Sequence, residues 1–161
     1  MNTAELINDH FHFDVVDSGG RCHINLIGMI DENTNLSNLL KYKGQTLVFN
    51  FKNVTSINSC GIRTWVNFIK ELGTSNMEFT ECPPGIVRQM NMVPSFLGSA
   101  KVTSVYVPYV CDSCEHEFDQ LVQIQDYKSG KPIEETIKCE KCSSEEMEID
   151  GNVKQYFAFV K

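Results

Sequence analysis

Thr46-Leu47-Val48-Phe49-Asn50-Phe51 and, ten positions on from its last residue, Gly61-Ile62-Arg63-Thr64-Trp65-Val66-Asn67-Phe68-Ile69-Lys70-Glu71-Leu72 are the segments on which the fold turns. The first is β-branched and aromatic without charge, the composition of a strand covered on both faces in the middle of a sheet. In the second, Ile62, Trp65, Ile69 and Leu72 recur at helical spacing and form one apolar stripe. Lys52 to Asn58 is expected to turn the chain between them.

The junction Asn58-Ser59-Cys60-Gly61 carries the chemistry. Ser59 is placed to cap the helix, its hydroxyl accepting from a backbone N–H one turn on, and Gly61 leaves room for another chain to approach the backbone. A phosphate on Ser59 would bring about −1.5 to −2 charges to the positive end of the helix, which accommodates it locally while a docked partner would not. Capping alone also explains a serine here. Cys60 at a helix start is a thiol whose pKa tends to fall, although a small packed residue fits the position equally.

Working outward, residues 11–17, 18–21 and 22–30 read as strand, tight turn and strand. Asp31 to Gly44 should hold a short helix with Leu36, Leu39 and Leu40 inward. Met77-Glu78-Phe79-Thr80 is a short strand, and Pro83-Pro84-Gly85 opens a helix running to about Met92. Met90, Met92, Val93, Phe96 and Leu97 give an apolar patch that suits either core packing or a partner surface. Val102 to Val107 closes the sheet.

Three of these stretches resemble one family. Val54-Thr55-Ser56-Ile57-Asn58-Ser59-Cys60-Gly61-Ile62 is similar to the strand-to-helix turn of STAS domains, the bacterial anti-sigma factor antagonists. Gly28-Met29-Ile30-Asp31 looks like the end of that family's second strand, and Pro84 to Leu97 resembles its later helix. The resemblance covers about residues 11 to 107. It implies an α/β domain, with a STAS-like mixed sheet and short helices on one side. It further implies a protein partner of the serine kinase or anti-sigma type, contacted through Asp31, Asn58, Ser59, Cys60 and Gly61 and released by phosphorylation of Ser59. Two departures stand out: Asn58 replaces the family's acidic residue and Cys60 its second hydroxyl.

Beyond residue 108 the chemistry changes. Cys111-Asp112-Ser113-Cys114 and Cys139-Glu140-Lys141-Cys142 are two C-x-x-C pairs separated by 24 residues. Such spacing lets two sulfurs of each turn face one ion, and two turns complete a tetrahedral thiolate site for a single structural zinc. A redox dithiol or an iron–sulfur cluster would use the same residues in settings less like this one. With short strands expected over 118–125 and 155–160, the segment resembles a zinc ribbon. The chain is therefore divided into a STAS-like domain, 1–108, and a ribbon, 109–161. About 50 residues with so few large apolar side chains seldom fold without such a staple.

Charge and composition narrow the functions. The formal net charge is −7, with 8 basic and 9 acidic residues over 1–108 against 6 and 12 over 109–161. Overall acidity disfavours a sequence-independent grip on nucleic acid or on an anionic membrane. No apolar run is long enough to span a bilayer, the first residues lack a secretory pattern, and reduced thiols suit a cytoplasmic protein. A Gly-x-x-x-x-Gly-Lys loop and a Gly-x-Ser-x-Gly elbow do not occur in these residues. A non-enzymatic signalling protein is the leading expectation. The alternative is a scaffold or oligomerising protein that interacts through the acidic ribbon, with Ser59 never modified.

Overall fold

The computed structural model describes residues 2–6, 10–73, 75–143 and 146–161. The chain is a mixed α/β structure with two sheets. The first has the order β1-β2-β3-β4-β5-β6, formed by β1 (Asn2–Leu6), β2 (Phe11–Asp17), β3 (Arg21–Ile30), β4 (Thr46–Ile57), β5 (Met77–Thr80) and β6 (Lys101–Val102). β1 to β3 pair antiparallel, whereas β3 to β6 run parallel. A hairpin therefore feeds three crossovers. The first carries only a 3-10 helix, Ser37–Tyr42, the second carries α1 (Ser59–Leu72), and the third carries α2 (Pro84–Met92) and α3 (Pro94–Leu97).

Alternation decides which face is covered. Phe11, Phe13 and Val15 on β2, Cys22, Ile24 and Leu26 on β3, and Leu47, Phe49 and Phe51 on β4 are all buried, and their neighbours are less so. Onto this face α1 lays Trp65, Phe68, Ile69 and Leu72. Phe49, Phe51, Trp65, Phe68, Phe79 and Phe96 make a ring cluster with many edge-on contacts, such as Phe49 to Trp65 at 5.3 Å and Phe51 to Phe79 at 5.1 Å. The Trp65 indole N–H donates to the Phe96 carbonyl at 3.0 Å, so burial leaves no polar group unpaired there. Each such ring stabilises the fold by roughly 1.5–3 kcal/mol through burial.

β4 is longer than the sequence suggests. Expected to end at Phe51, it continues to Ile57. The pairing with β3 shifts register between Asn25 and Ile27 and again between Gly28 and Met29, where β4 has one extra residue each time. These irregularities interrupt the period of two, leaving Lys52, Asn53, Thr55 and Ser56 exposed within a strand, which is why the segment reads as a turn.

The second sheet, β8-β7-β10-β9, is antiparallel throughout and comprises β7 (Ser104–Cys111), β8 (Glu117–Gln123), β9 (Thr136–Ile137) and β10 (Met147–Ile149). Residues 104–107, expected to close the first sheet, belong here instead. Only Lys101 and Val102 pair with β5, and β7 then runs as one strand through Pro108, whose carbonyl accepts from the Asp150 N–H at 2.9 Å. The terminal segment also differs from expectation. Where a strand was expected over 155–160, a short helix α5 (Val153–Tyr156) forms, with the Asn152 side chain accepting from the Gln155 N–H. Residues 124–128 likewise leave β8 to form α4 (Ile124–Lys128).

The two sheets share one apolar core that runs from Phe11 to Phe159. Polar contacts reinforce the join: the Glu81 carboxylate accepts from the Asn50 amide and the Tyr106 hydroxyl, the Asn91 amide donates to the Tyr156 carbonyl, and the Tyr156 hydroxyl donates to the Tyr106 carbonyl. Met90 and Phe96 are part of the core, whereas Met92 is 73% exposed, so the methionine-rich patch is mostly interior.

One close approach fixes where α1 starts. A Cβ built on Gly61 would lie 2.1 Å from the Ile30 carbonyl oxygen, so this glycine admits its own chain. The expectation that it serves an approaching partner is corrected accordingly, since Gly61 is buried. Gly61→Ala should destabilise the protein by about 1–3 kcal/mol, as forced overpacking does, while Gly85→Ala, where a Cβ meets nothing within 4 Å, should not. Paired urea melts would show it, and equal midpoints for the two variants would refute it.

Candidate functional site

Two places hold the residues singled out from sequence: the cysteine cluster and the start of α1. Cys111 ends β7, Cys114 follows in its turn, and Cys139 and Cys142 lie in the connection from β9 to β10. All four sulfurs lie within 4.8 Å of one another, with Cys111 to Cys142 at 3.5 Å and Cys114 to Cys139 at 3.7 Å. A tetrahedral ion with metal–sulfur bonds of about 2.3 Å needs sulfurs about 3.8 Å apart, so the cluster fits one metal ion such as zinc.

Both halves of the cluster are built alike. The Glu115 N–H donates to the Cys111 carbonyl at 2.8 Å, and the Ser143 N–H to the Cys139 carbonyl at 3.0 Å. Glu115 and Ser143, each directly after a second cysteine, adopt positive φ of 59° and 62°. These two residues accept left-handed strain to close the turns. No sequence signal marks them, because glycine or asparagine is the usual choice there.

The thiols do not share one acidity. Burial opposes ionisation of Cys111, but the Cys114 and Ser113 amides and the Cys142 and Cys114 thiols outweigh it and bring the thiol down to about 7. At Cys114 the His116 amide favours the thiolate, yet burial and the three neighbouring thiols together push it up to about 12. Four sulfurs this close cannot all ionise without a cation between them. Cys139→Ser should abolish tight metal binding and lower the melting midpoint of the second sheet, as measured by elemental analysis and chelator titration. Metal content equal to that of the unaltered protein would refute the assignment.

At the start of α1 the cap is Asn58, not Ser59. Asn58 has extended backbone, and its Oδ1 accepts from the Gly61 N–H at 2.7 Å. Asparagine caps as well as serine, and the unexpected length of β4 moves the boundary by one position. Ser59 is thus the first helical residue, and its side chain is exposed together with those of Asn58 and Cys60. Asp31 is different. It is 3% exposed, its Oδ1 accepting from the Asn33 N–H at 2.9 Å while its own N–H donates to Thr34 Oγ1 at 3.0 Å. Its carboxylate shapes the turn after β3 and faces no solvent.

Glu32, which sequence reasoning missed, stands at the surface instead. Its Oε2 accepts from Asn58 Nδ2 at 2.9 Å, and this hydrogen bond, with one from its own backbone, holds its carboxyl below the ordinary value. A carboxylate is therefore held against residue 58, directly before Ser59, even though position 58 itself carries an amide. Only the parallel pairing of β3 with β4 brings residue 32 to residue 58.

Comparison with known proteins adds little to this. No family model matches the chain. It is 27% identical over 130 residues, 77% of its length, to the ribosome-binding ATPase YchF of Bacillus subtilis (strain 168), and this match spans 31% of that protein. Among the described residues no helix is long and apolar enough to cross a membrane.

A second titratable group lies near the junction of the sheets. Partial desolvation of this otherwise exposed side chain, followed by the charge of Glu117, raises the Asp119 carboxyl above its ordinary value. The folded state then holds this proton more tightly than the unfolded chain, so stability falls as pH rises through the interval above 3.8, the ordinary value. Asp119→Asn should raise the melting temperature at pH 7 and flatten that part of the pH profile. Calorimetry at pH 4 and pH 7 would show it; an equal shift at both pH values would contradict the charge origin.

Proposed function

We propose that this protein is a non-enzymatic signalling component of the anti-sigma factor antagonist type. In this reading it binds a serine kinase or anti-sigma partner through the exposed start of α1, and phosphorylation of Ser59 abolishes that contact. The observation that carries the proposal is the placement of Ser59: its side chain is exposed on the first turn of a helix that directly follows a central parallel strand. The sheet order, with a hairpin leading into parallel crossovers, is consistent with the STAS resemblance of the same residues.

The electrostatics make the switch sharp. A phosphate on Ser59 would sit at the positive helix end, one residue from Asn58, whose amide already holds the Glu32 carboxylate. The helix favours the added charge, but Glu32 and the phosphate together turn a mixed surface into an anionic one. A partner complementary to the unmodified face would lose affinity on meeting it. Ser59 has no capping duty, so modifying it leaves the helix start intact.

In the cysteine cluster we assign one zinc ion with a structural role, held by Cys111, Cys114, Cys139 and Cys142. All four positions would be taken by cysteine sulfurs, which leaves no place for a reacting water. Bound zinc would supply cross-linking of the two turns and neutralise their charge.

The test is phosphate transfer and its consequence. Incubated in extract with magnesium and ATP, the protein should acquire one phosphate, on the peptide containing Ser59. The purified Ser59→Asp variant should bind the responsible kinase at least tenfold more weakly than the unaltered protein, while Ser59→Ala should bind it normally. Phosphate found only elsewhere, or equal affinity of the Asp and Ala variants, would exclude this function.

A further inference from the structure

The second sheet carries a feature that linear charge counting conceals. A cleft of about 1140 Å³ opens between the segment 127–136, β10 and the end of the chain, with Lys128, Lys131, Lys154 and Lys161 in its walls. Beside it, a second cavity of about 450 Å³ lies between β6 and α4 and is lined by Lys101, Lys128 and Lys161, with no aspartate or glutamate side chain. Lys128, Val160 and Lys161 belong to both, so the two form one groove. Five of the chain's 14 basic residues line it, against two of its 21 acidic ones, Glu135 and Glu148. At physiological salt, charges beyond about 8 Å are largely screened. Within that distance the five lysines outnumber Glu135, Glu148 and the Asp126 carboxylate beside Lys131, although the chain as a whole carries −7.

Its shape and lining favour an extended, phosphate-bearing ligand with flat rings. Tyr127 lines the larger cavity, and its ring is stacked on Phe157 at a centroid distance of 4.1 Å and an interplanar angle of 15°. One ring face is thereby supported from below, which fixes the platform without immobilising anything new on binding. A lysine groove beside a supported aromatic ring is the combination that holds single strands, the ammonium groups following the phosphates while a base stacks. The Asp126 carboxylate is 3.9 Å from the Lys131 ammonium, an exposed pair too weak to withhold that lysine from a phosphate. We infer that the groove formed by Lys101, Lys128, Lys131, Lys154 and Lys161 around Tyr127 binds single-stranded nucleic acid.

The groove is separate from the Ser59 turn, and the two proposals fail independently. Binding of a fluorescein-labelled 12-nucleotide oligouridine to the zinc-loaded protein would be followed by fluorescence anisotropy. If about four phosphates are neutralised, affinity should fall about 20-fold between 50 and 150 mM salt. The Lys101→Glu, Lys128→Glu, Lys161→Glu triple variant should lose at least that much at 50 mM salt. A charge-matched triple at Lys41, Lys52 and Lys70 should lose less than threefold. Tyr127→Leu, which keeps an apolar cover over Phe157, should lose about tenfold through the missing stack. Zinc content and circular dichroism would verify that each variant is folded.

Several results would overturn the inference. They are no saturable binding of the unaltered protein at 50 mM salt, equal losses in the two triple variants, or no effect of Tyr127→Leu. Displacement of the oligomer by tripolyphosphate at matched phosphate concentration would also reject it, since a simple anion site needs no base. So would equal binding of phosphatidylserine vesicles, which would assign the groove to a membrane surface.

Discussion

The Ile30 carbonyl oxygen fills the space that any side chain at position 61 would occupy, and much of the first sheet's geometry follows from that contact. It ties the end of β3 to the beginning of α1. The Asn58 N–H donates to the same carbonyl, so the end of β4 is held there too. Three elements distant in sequence thus converge on one peptide group. Because the helix must start there, Asn58 becomes its cap, Ser59 turns outward, and the 31–34 turn delivers Glu32 to the cap's amide.

The second sheet depends on a different kind of constraint. Two of its four strands are short, β9 with two residues and β10 with three. Apolar burial alone gives such a sheet little stability, and much of what it has comes from the core shared with α2 and from the join made by Asn50, Glu81, Tyr106 and Tyr156. The cysteine cluster secures the opposite end of β7, where a metal ion would take the place of missing hydrophobic contacts. Acidic residues predominate in this part of the chain, yet four of its six lysines, Lys128, Lys131, Lys154 and Lys161, line one groove. Folding has separated charges that alternate along the sequence.

Local patterns were legible where a single element decides them. The stripe of Trp65, Ile69 and Leu72 marks α1, the prolines mark the start of α2, and the cysteine spacing marks the metal cluster. Boundaries that depend on pairing were not. The extra residues in β4 look like a turn because a bulge exposes polar side chains inside a strand. Phe157 and Phe159 alternate like a strand but pack from a helix and its following turn, where Phe157 lies against Tyr127. Asn152 caps that helix, its side chain accepting from the Gln155 N–H.

Sequence by itself determined the composition of the core, the helical stripe of α1, and the four thiols, because each rests on side-chain chemistry at short, fixed spacing. Only tertiary structure decided that residues 104–107 leave the first sheet, that Asn58 and not Ser59 caps α1, that Asp31 turns inward while Glu32 faces solvent, and that five scattered lysines share a groove. The physical reason is the same in each case. A strand's partner and a side chain's neighbours are set by contacts between residues tens of positions apart, and no local pattern encodes them.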